Sequence, residues 1–153
     1  MKKIIFLDFD GVITTLKSGW KLDPEKLELL GRILEGTDAA LVISSSWRSH
    51  TVESTIAILK DKNRFFNGGI EFPFCDKIIG ITKRLLPKTF KSQYCRGDEI
   101  DLWLKENTNE PVKYLILDDD RDFLSHQMSN FRNTHWETGL SEEDVQFAIE
   151  FFK

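Results

Sequence analysis

Ile4-Ile5-Phe6-Leu7-Asp8-Phe9-Asp10-Gly11-Val12 is the stretch on which the reading of the fold turns. A short unbroken apolar run ended by acids and a glycine is the pattern of a strand buried on both faces, as in a parallel sheet. A functional loop is expected at its exit, where Asp8 and Asp10 follow the last aliphatic residue.

Downstream, Asp23-Pro24-Glu25 offers an N-cap, a proline at the first helical position and an early acid. Leu27, Leu30, Ile33 and Leu34 then recur at helical spacing until Gly36. Ala39 to Ile43 is a second apolar run, closed by Ser44-Ser45-Ser46, and a helix is predicted over about Thr51 to Lys60 with Val52, Ile56 and Leu59 inward. Residues 61 to 76 read as irregular, with Asn67-Gly68-Gly69 and Pro73 as breakers, before a short strand at Lys77 to Ile81. Asp98 to Glu106 reads as a helix with Ile100, Trp103 and Leu104 on one face, and Val112 to Leu117 as the strand it feeds. A short helix around Asp122 to Met128 and a strand at about Thr134 to Trp136 are expected next. Ser141-Glu142-Glu143-Asp144 caps a last helix carrying Val145, Ala148, Ile149 and Phe152 at one face.

Alternating strands and helices predict an α/β fold, a three-layer sandwich whose mainly parallel sheet is covered on both faces. At 153 residues the chain is expected to form one domain over 1–153. In such sheets ligands bind beyond the carboxyl ends of the strands. Three predicted strands end there in reactive groups: Asp8 and Asp10, Ser44 to Ser46, and Asp118 to Asp120.

Composition narrows the function. The formal charge of −4, from 21 Lys+Arg against 25 Asp+Glu, provides no broad cationic field for non-specific nucleic-acid binding. Cys75 and Cys95 lie outside any CxxC spacing and read as free thiols, and His50, His126 and His135 show no metal spacing. The apolar run before Asp8 is too short for the core of a signal peptide, and no stretch approaches transmembrane length. A cytoplasmic protein with no membrane partner is expected; the sequence does not fix its oligomeric state.

Two sets of carboxylates at neighbouring strand ends repel unless a cation lies between them, and hard oxygen ligands suit Mg²⁺. Asp8-Phe9-Asp10-Gly11-Val12 behind its apolar run resembles the first motif of the haloacid-dehalogenase-like (HAD) hydrolase superfamily. Tyr114-Leu115-Ile116-Leu117-Asp118-Asp119 is similar to that superfamily's acidic fourth motif. Ser44 closes a strand where the superfamily has Ser or Thr, and Arg96-Gly97-Asp98-Glu99-Ile100 sits where a third-motif cation precedes a helix.

The resemblance implies that Asp8 is a nucleophile forming an aspartyl-phosphate and that Asp10 is the general acid and base. It implies that Ser44 binds a phosphoryl oxygen, with Ser45 as the competitor, and that Arg96 neutralises phosphoryl charge. The commoner lysine at that point leaves Lys83, Lys88 and Lys91 as competitors. Asp118 and Asp119 would hold Mg²⁺ together with the Asp8 carboxylate and the Asp10 carbonyl, with Asp120 and Asp122 as alternatives. Arg48 is a candidate substrate contact, set against a solvated arginine at a helix start. Trp103 reads as core, and Trp47 as core more readily than as a stacking surface.

The implied activity is that of a phosphatase without a large cap domain, whose open site favours a macromolecular substrate such as a phosphorylated nucleic-acid end or a phosphoprotein. Arg96 to Leu104 and Thr138-Gly139-Leu140 also resemble a HAD subgroup joined to RNA-repair modules. The rival readings are a non-catalytic phosphate- or metal-binding regulatory module and a receiver-like phosphoacceptor, which needs no second acid at Asp10. A nucleotide-sugar glycosyltransferase is disfavoured by the length of the chain.

Overall fold

A computed structural model describes residues 1–85 and 94–153. The apolar run opens the middle strand of a sheet built from β1 (Lys2–Leu7), β2 (Ala40–Ile43), β3 (Ile78–Ile81), β4 (Val112–Asp118) and β5 (Phe131–Asn133). All neighbouring pairs are parallel, in the order β3-β2-β1-β4-β5. Ile4 to Leu7 have no solvent exposure, as a strand covered on both faces requires.

Alternate residues of these strands enter two cores. Ile5, Leu7, Leu41, Ile43, Leu115 and Leu117 face α1 (Pro24–Thr37), α2 (Val52–Lys60) and α4 (Glu142–Phe151). Phe6, Val42 and Ile116 face Ile100 and Trp103 of α3 (Arg96–Asn107). The helix signals at Asp23 and Ser141 act as expected: the Asp23 carboxylate accepts from the Glu25 N–H and Ser141 closes a capping box on α4; Thr51 closes a further one on α2.

Corrections fall on short elements. The last strand is Phe131–Asn133, three residues before the expected Thr134 to Trp136, and the segment expected as a helix near Asp122 to Met128 is a 3-10 turn at Ser125–Asn130. Neither has the apolar periodicity that marks longer elements; β5 is defined by its pairing to Ile116, Leu117 and Asp118. No large cap is inserted among the described residues, and none of their helices is long and apolar enough to cross a membrane.

The order of the strands creates the crevice. From β1 the chain moves outward through α1 to β2 and β3, then returns through α3 to β4 on the other side of β1. After β1 it heads for α1 on one face, while after β4 it runs along the opposite face, so the strand exits part between β1 and β4.

Gly80 lets α3 lie close to the edge of the sheet: a Cβ there would stand 2.7 Å from Trp103 Nε1. Gly80→Ala is therefore expected to destabilise the fold by about 1–3 kcal/mol through overpacking. Urea melts of Gly80→Ala and of Gly80→Ala combined with Trp103→Phe check this, with the smaller ring expected to restore part of the loss.

Candidate active site

Parallel pairing brings the acids level. Leu7 pairs with Leu117 and the Asp8 N–H donates to the Leu117 carbonyl at 3.0 Å, so Asp8 stands beside Asp118. Phe6 and Ile116, two residues earlier, face α3, and the same alternation turns Asp8 and Asp118 towards the first residue of that helix. Phe9 points the other way, fully buried against Trp47 and Phe72, and its carbonyl accepts the N–H groups of Val12, Ile13 and Thr14. Phe9 is the anchor that lets two acids leave the strand in a fixed loop.

Arg96 opens α3 between the two carboxylates, with Nη1 3.1 Å from Asp8 Oδ1 and 3.1 Å from Asp118 Oδ2. Its position is built by the chain after β4: Asp122 accepts the Arg96 N–H through Oδ2 and the Gly97 N–H through its carbonyl, both at 3.1 Å. A carboxylate at a helix N-terminus also favours the helix dipole. Asp122, an alternative metal ligand in the sequence, is thus a cap on α3.

Carboxylate oxygens of Asp8, Asp118 and Asp119 lie within 4.8 Å of one another. Burial, and then the Asp118 charge, push the Asp8 carboxyl well above the ordinary range, with Arg96 opposing them. Burial likewise raises Asp118 to about 6 against the pull of Arg96. One guanidinium among three carboxylates leaves uncompensated negative charge in a partly dry place, and every donor is a hard oxygen. The residues fit a Mg²⁺ ion.

Asp10 is held from the other side. Its Oδ1 accepts from Thr14 Oγ1 at 2.7 Å and from the Trp47 indole N–H at 3.1 Å. Trp47 packs on Phe9 and is covered by Arg64, whose guanidinium carbon lies 4.2 Å from the ring centroid. Trp47 is therefore largely buried, as expected, and its indole orients Asp10. Gly11, at φ 82°, passes so close to Asp119 that a Cβ would meet that side chain at 2.4 Å. Asp8, Asp10, Arg96, Asp118, Asp119 and Asp120 face one open cavity of about 470 Å³ together with Trp20 and Ser46.

The serine loop divides its tasks. Ser44, level with Asp8 through its N–H bond to the Leu7 carbonyl, is fully buried, and its Oγ has no hydrogen-bond partner among the described residues. Thr82, whose N–H donates to the Ile43 carbonyl, presents a second buried hydroxyl without a partner among the described residues. Such hydroxyls carry a desolvation penalty that an incoming oxygen can relieve. Ser45 Oγ instead accepts the Trp47 N–H at 3.1 Å and shapes the loop, while Ser46 reaches the cavity.

Arg48, a candidate substrate contact set against a solvated arginine in the sequence, is held inside the protein. This side chain is 5% exposed and donates to the carbonyls of Thr82, Ser44 and Ser45 and to Glu99 Oε1. It ties the serine loop to β3 and α3. Lys83 pairs with Glu106 at 2.8 Å, away from the carboxylates, and Lys88 and Lys91 lie outside the described residues. Trp20 and Ser46 line the cavity without having been assigned a role from the sequence: Ser46 belongs to the serine run, whereas Trp20 carries no motif.

A larger cavity, about 740 Å³, runs along β3 between α2 and α3, with Ile79, Ile81 and Trp103 among its walls, but it gathers no carboxylate cluster among the described residues. No curated protein and no solved structure gives a match to the chain. One family does: the pattern described as "HAD domain in Swiss Army Knife RNA repair proteins" matches residues 4–145, which takes in both acidic strand ends, the serine loop and Arg96. The chain belongs to this family, and hence to the HAD-like hydrolases.

Proposed function

We propose that this chain is a Mg²⁺-dependent phosphomonoesterase that works through an aspartyl-phosphate on Asp8 and acts on the phosphorylated end of a polynucleotide. The observation that carries the reading is the division of labour between two acids two residues apart. Asp8 shares Arg96 with Asp118, whereas Asp10 is held apart from them by Thr14 and Trp47. A regulatory metal site or a phosphoacceptor would need the first group but not a separately oriented second acid. The family description supports RNA ends as the substrate class, and the exposed Arg84, which donates to the Ser46 and Arg48 carbonyls, adds a cation beside the serine loop.

In the first step an Asp8 oxygen forms a bond to phosphorus as the bond to the leaving oxygen breaks, and Asp10 gives that oxygen its proton. In the second, water attacks the phosphorus while Asp10 takes its proton, and the bond to Asp8 breaks to release inorganic phosphate. Arg96 screens the charge of the phosphoryl group, and the Ser44 hydroxyl supplies a donor at its side. Asp118, Asp119, the Asp8 carboxylate and the Asp10 carbonyl would hold the metal. When bound, Mg²⁺ offsets the negative charge of the phosphoryl oxygens and the acids.

Asp8→Asn is expected to abolish turnover of a phosphorylated oligonucleotide while leaving the circular dichroism spectrum intact. Asp10→Asn is expected to cost on the order of 10²–10⁴ in kcat. Wild-type rates for either variant, checked for deamidation, would overturn the mechanism. Trp47→Phe removes one hydrogen bond to Asp10 and is expected to lower kcat by up to about tenfold with KM little changed.

The raised carboxyls set a pH dependence. Acids whose folded pKa lies above the unfolded value stabilise the fold at low pH, and this contribution is lost as pH rises through about 6 for Asp118. Mg²⁺ requires the ionised forms, so its stabilising effect should grow over the same interval. Thermal melts on either side of that pH are expected to show a larger Mg²⁺-induced rise in Tm on the alkaline side. Asp118→Asn should lose most of it; a Mg²⁺ effect unchanged by pH or by this variant would count against the metal site.

A further inference from the structure

One wall of the catalytic cavity has no part in the phosphoryl chemistry. Trp20 lines it beside Asp8, Asp10 and Ser46, and the Trp136 ring stacks on Trp20 with centroids 6.3 Å apart and planes 12° from parallel. His135 extends the array at 6.2 Å and 17° from Trp136. Trp136 is 45% exposed, and neither tryptophan belongs to either hydrophobic core. Trp47, by contrast, is covered by Arg64 and cannot offer its ring to a ligand.

Both rings are fixed to the loop that bears the catalytic acids. Trp20 sits at φ 62° directly after Gly19 at φ 68°, in a turn where the Gly19 N–H donates to the Leu16 carbonyl at 3.1 Å. A bulky residue in the left-handed region is strained, and it persists where its surroundings determine it. Here the Trp20 N–H donates to the Thr15 carbonyl at 2.9 Å, Ser18 Oγ donates to the Lys21 carbonyl at 2.8 Å, and Thr14 bridges to Leu22. The turn bearing Trp136 is tied down by Thr134 Oγ1, which donates to the Gly11 carbonyl at 2.7 Å, and by the Leu140 N–H, which donates to the Val12 carbonyl at 2.9 Å. Gly139 passes so near that a Cβ would stand 2.5 Å from the Val12 oxygen.

We propose that Trp20 and Trp136 form a stacking platform for the nucleobase of the terminal nucleotide whose phosphate is removed. This rests on the phosphatase reading above and adds a subsite to it. Trp136 is flanked by Trp20 on one side and His135 on the other, so a base would lie on the face of Trp20 that lines the cavity, with Trp136 backing that ring. Every base has a flat π-face, so such a platform holds any terminal nucleotide without reading its sequence. A chain with a formal charge of −4 cannot rely on a broad electrostatic field to capture a polyanion, and stacking provides affinity of another kind.

The test pairs a protein change with a substrate change. Wild type and Trp136→Ala are compared by kcat/KM, at fixed Mg²⁺ and ionic strength, on a terminally phosphorylated oligoribonucleotide and on one of equal length whose terminal nucleotide is abasic. The loss caused by Trp136→Ala is expected to be about five- to a hundredfold greater on the base-bearing substrate, mainly through KM, with Trp136→Phe recovering much of it. Equal losses on the two substrates, or none on the base-bearing one, would overturn the platform. If wild type hydrolyses neither substrate, the phosphatase reading fails, and quenching of tryptophan fluorescence decides the platform by itself. Tighter binding of the base-bearing oligonucleotide, diminished in Trp136→Ala, supports it, and equal titrations with the abasic one overturn it.

Discussion

Two buried carboxylates stand side by side because parallel pairing of β1 with β4 puts Asp8 level with Asp118, and much of the local structure follows from their mutual repulsion. Burial raises the pKa of both carboxyls, and the Asp118 charge raises that of Asp8 further. The chain meets the conflict with Arg96, which is shared between them at 3.1 Å on each side. The guanidinium is held where it is needed because it opens α3, and α3 begins there because Asp122 caps its first N–H groups. A turn that would otherwise be a solvated acidic loop thereby becomes part of the site's scaffold.

Even so, Arg96 does not balance the cluster. Asp119 brings a third carboxylate into range, held near by the bare backbone of Gly11. An excess of negative charge of this kind is a cost to the fold that a divalent cation bound there would offset. The same trade recurs at Ser44, whose buried hydroxyl lacks a partner among the described residues, and at Trp20, whose backbone is strained. These local conflicts lie in or beside one crevice, where a fold tolerates them because the surrounding sheet and helices are well satisfied.

The second support is the packing beneath the acids. Phe9 fills the core on one face while Asp8 and Asp10 leave it, and Trp47 joins that packing to the chemistry by seating against Phe9 and donating to Asp10. Arg48 works in a comparable way, tying the carbonyls of the serine loop to Thr82 and Glu99. With no large cap among the described residues, the rim above these groups is made of short turns, and the aromatic rings of Trp20 and Trp136 are prominent on it.

What the sequence by itself determined was whatever depends on local pattern. The apolar runs Ile4 to Leu7 and Ala39 to Ile43 marked β1 and β2, capping residues marked α1 and α4, the spacing of Val52, Ile56 and Leu59 marked α2, and acids placed directly after apolar strands marked Asp8, Asp10, Asp118 and Asp119. Strand alternation and helix caps act between residues close in the chain, so they can be read in one dimension. Tertiary structure decided what depends on distant partners. It placed β5 at Phe131–Asn133, because so short an edge strand is defined by its neighbour. It made Asp122 a cap and Arg48 a buried tie, because an acid or an arginine has the same one-letter signal whether it meets solvent, a helix end or a row of carbonyls. It paired Trp20 with Trp136 across more than a hundred residues, since ring stacking is fixed by where two turns meet in space and leaves no periodic trace in the sequence.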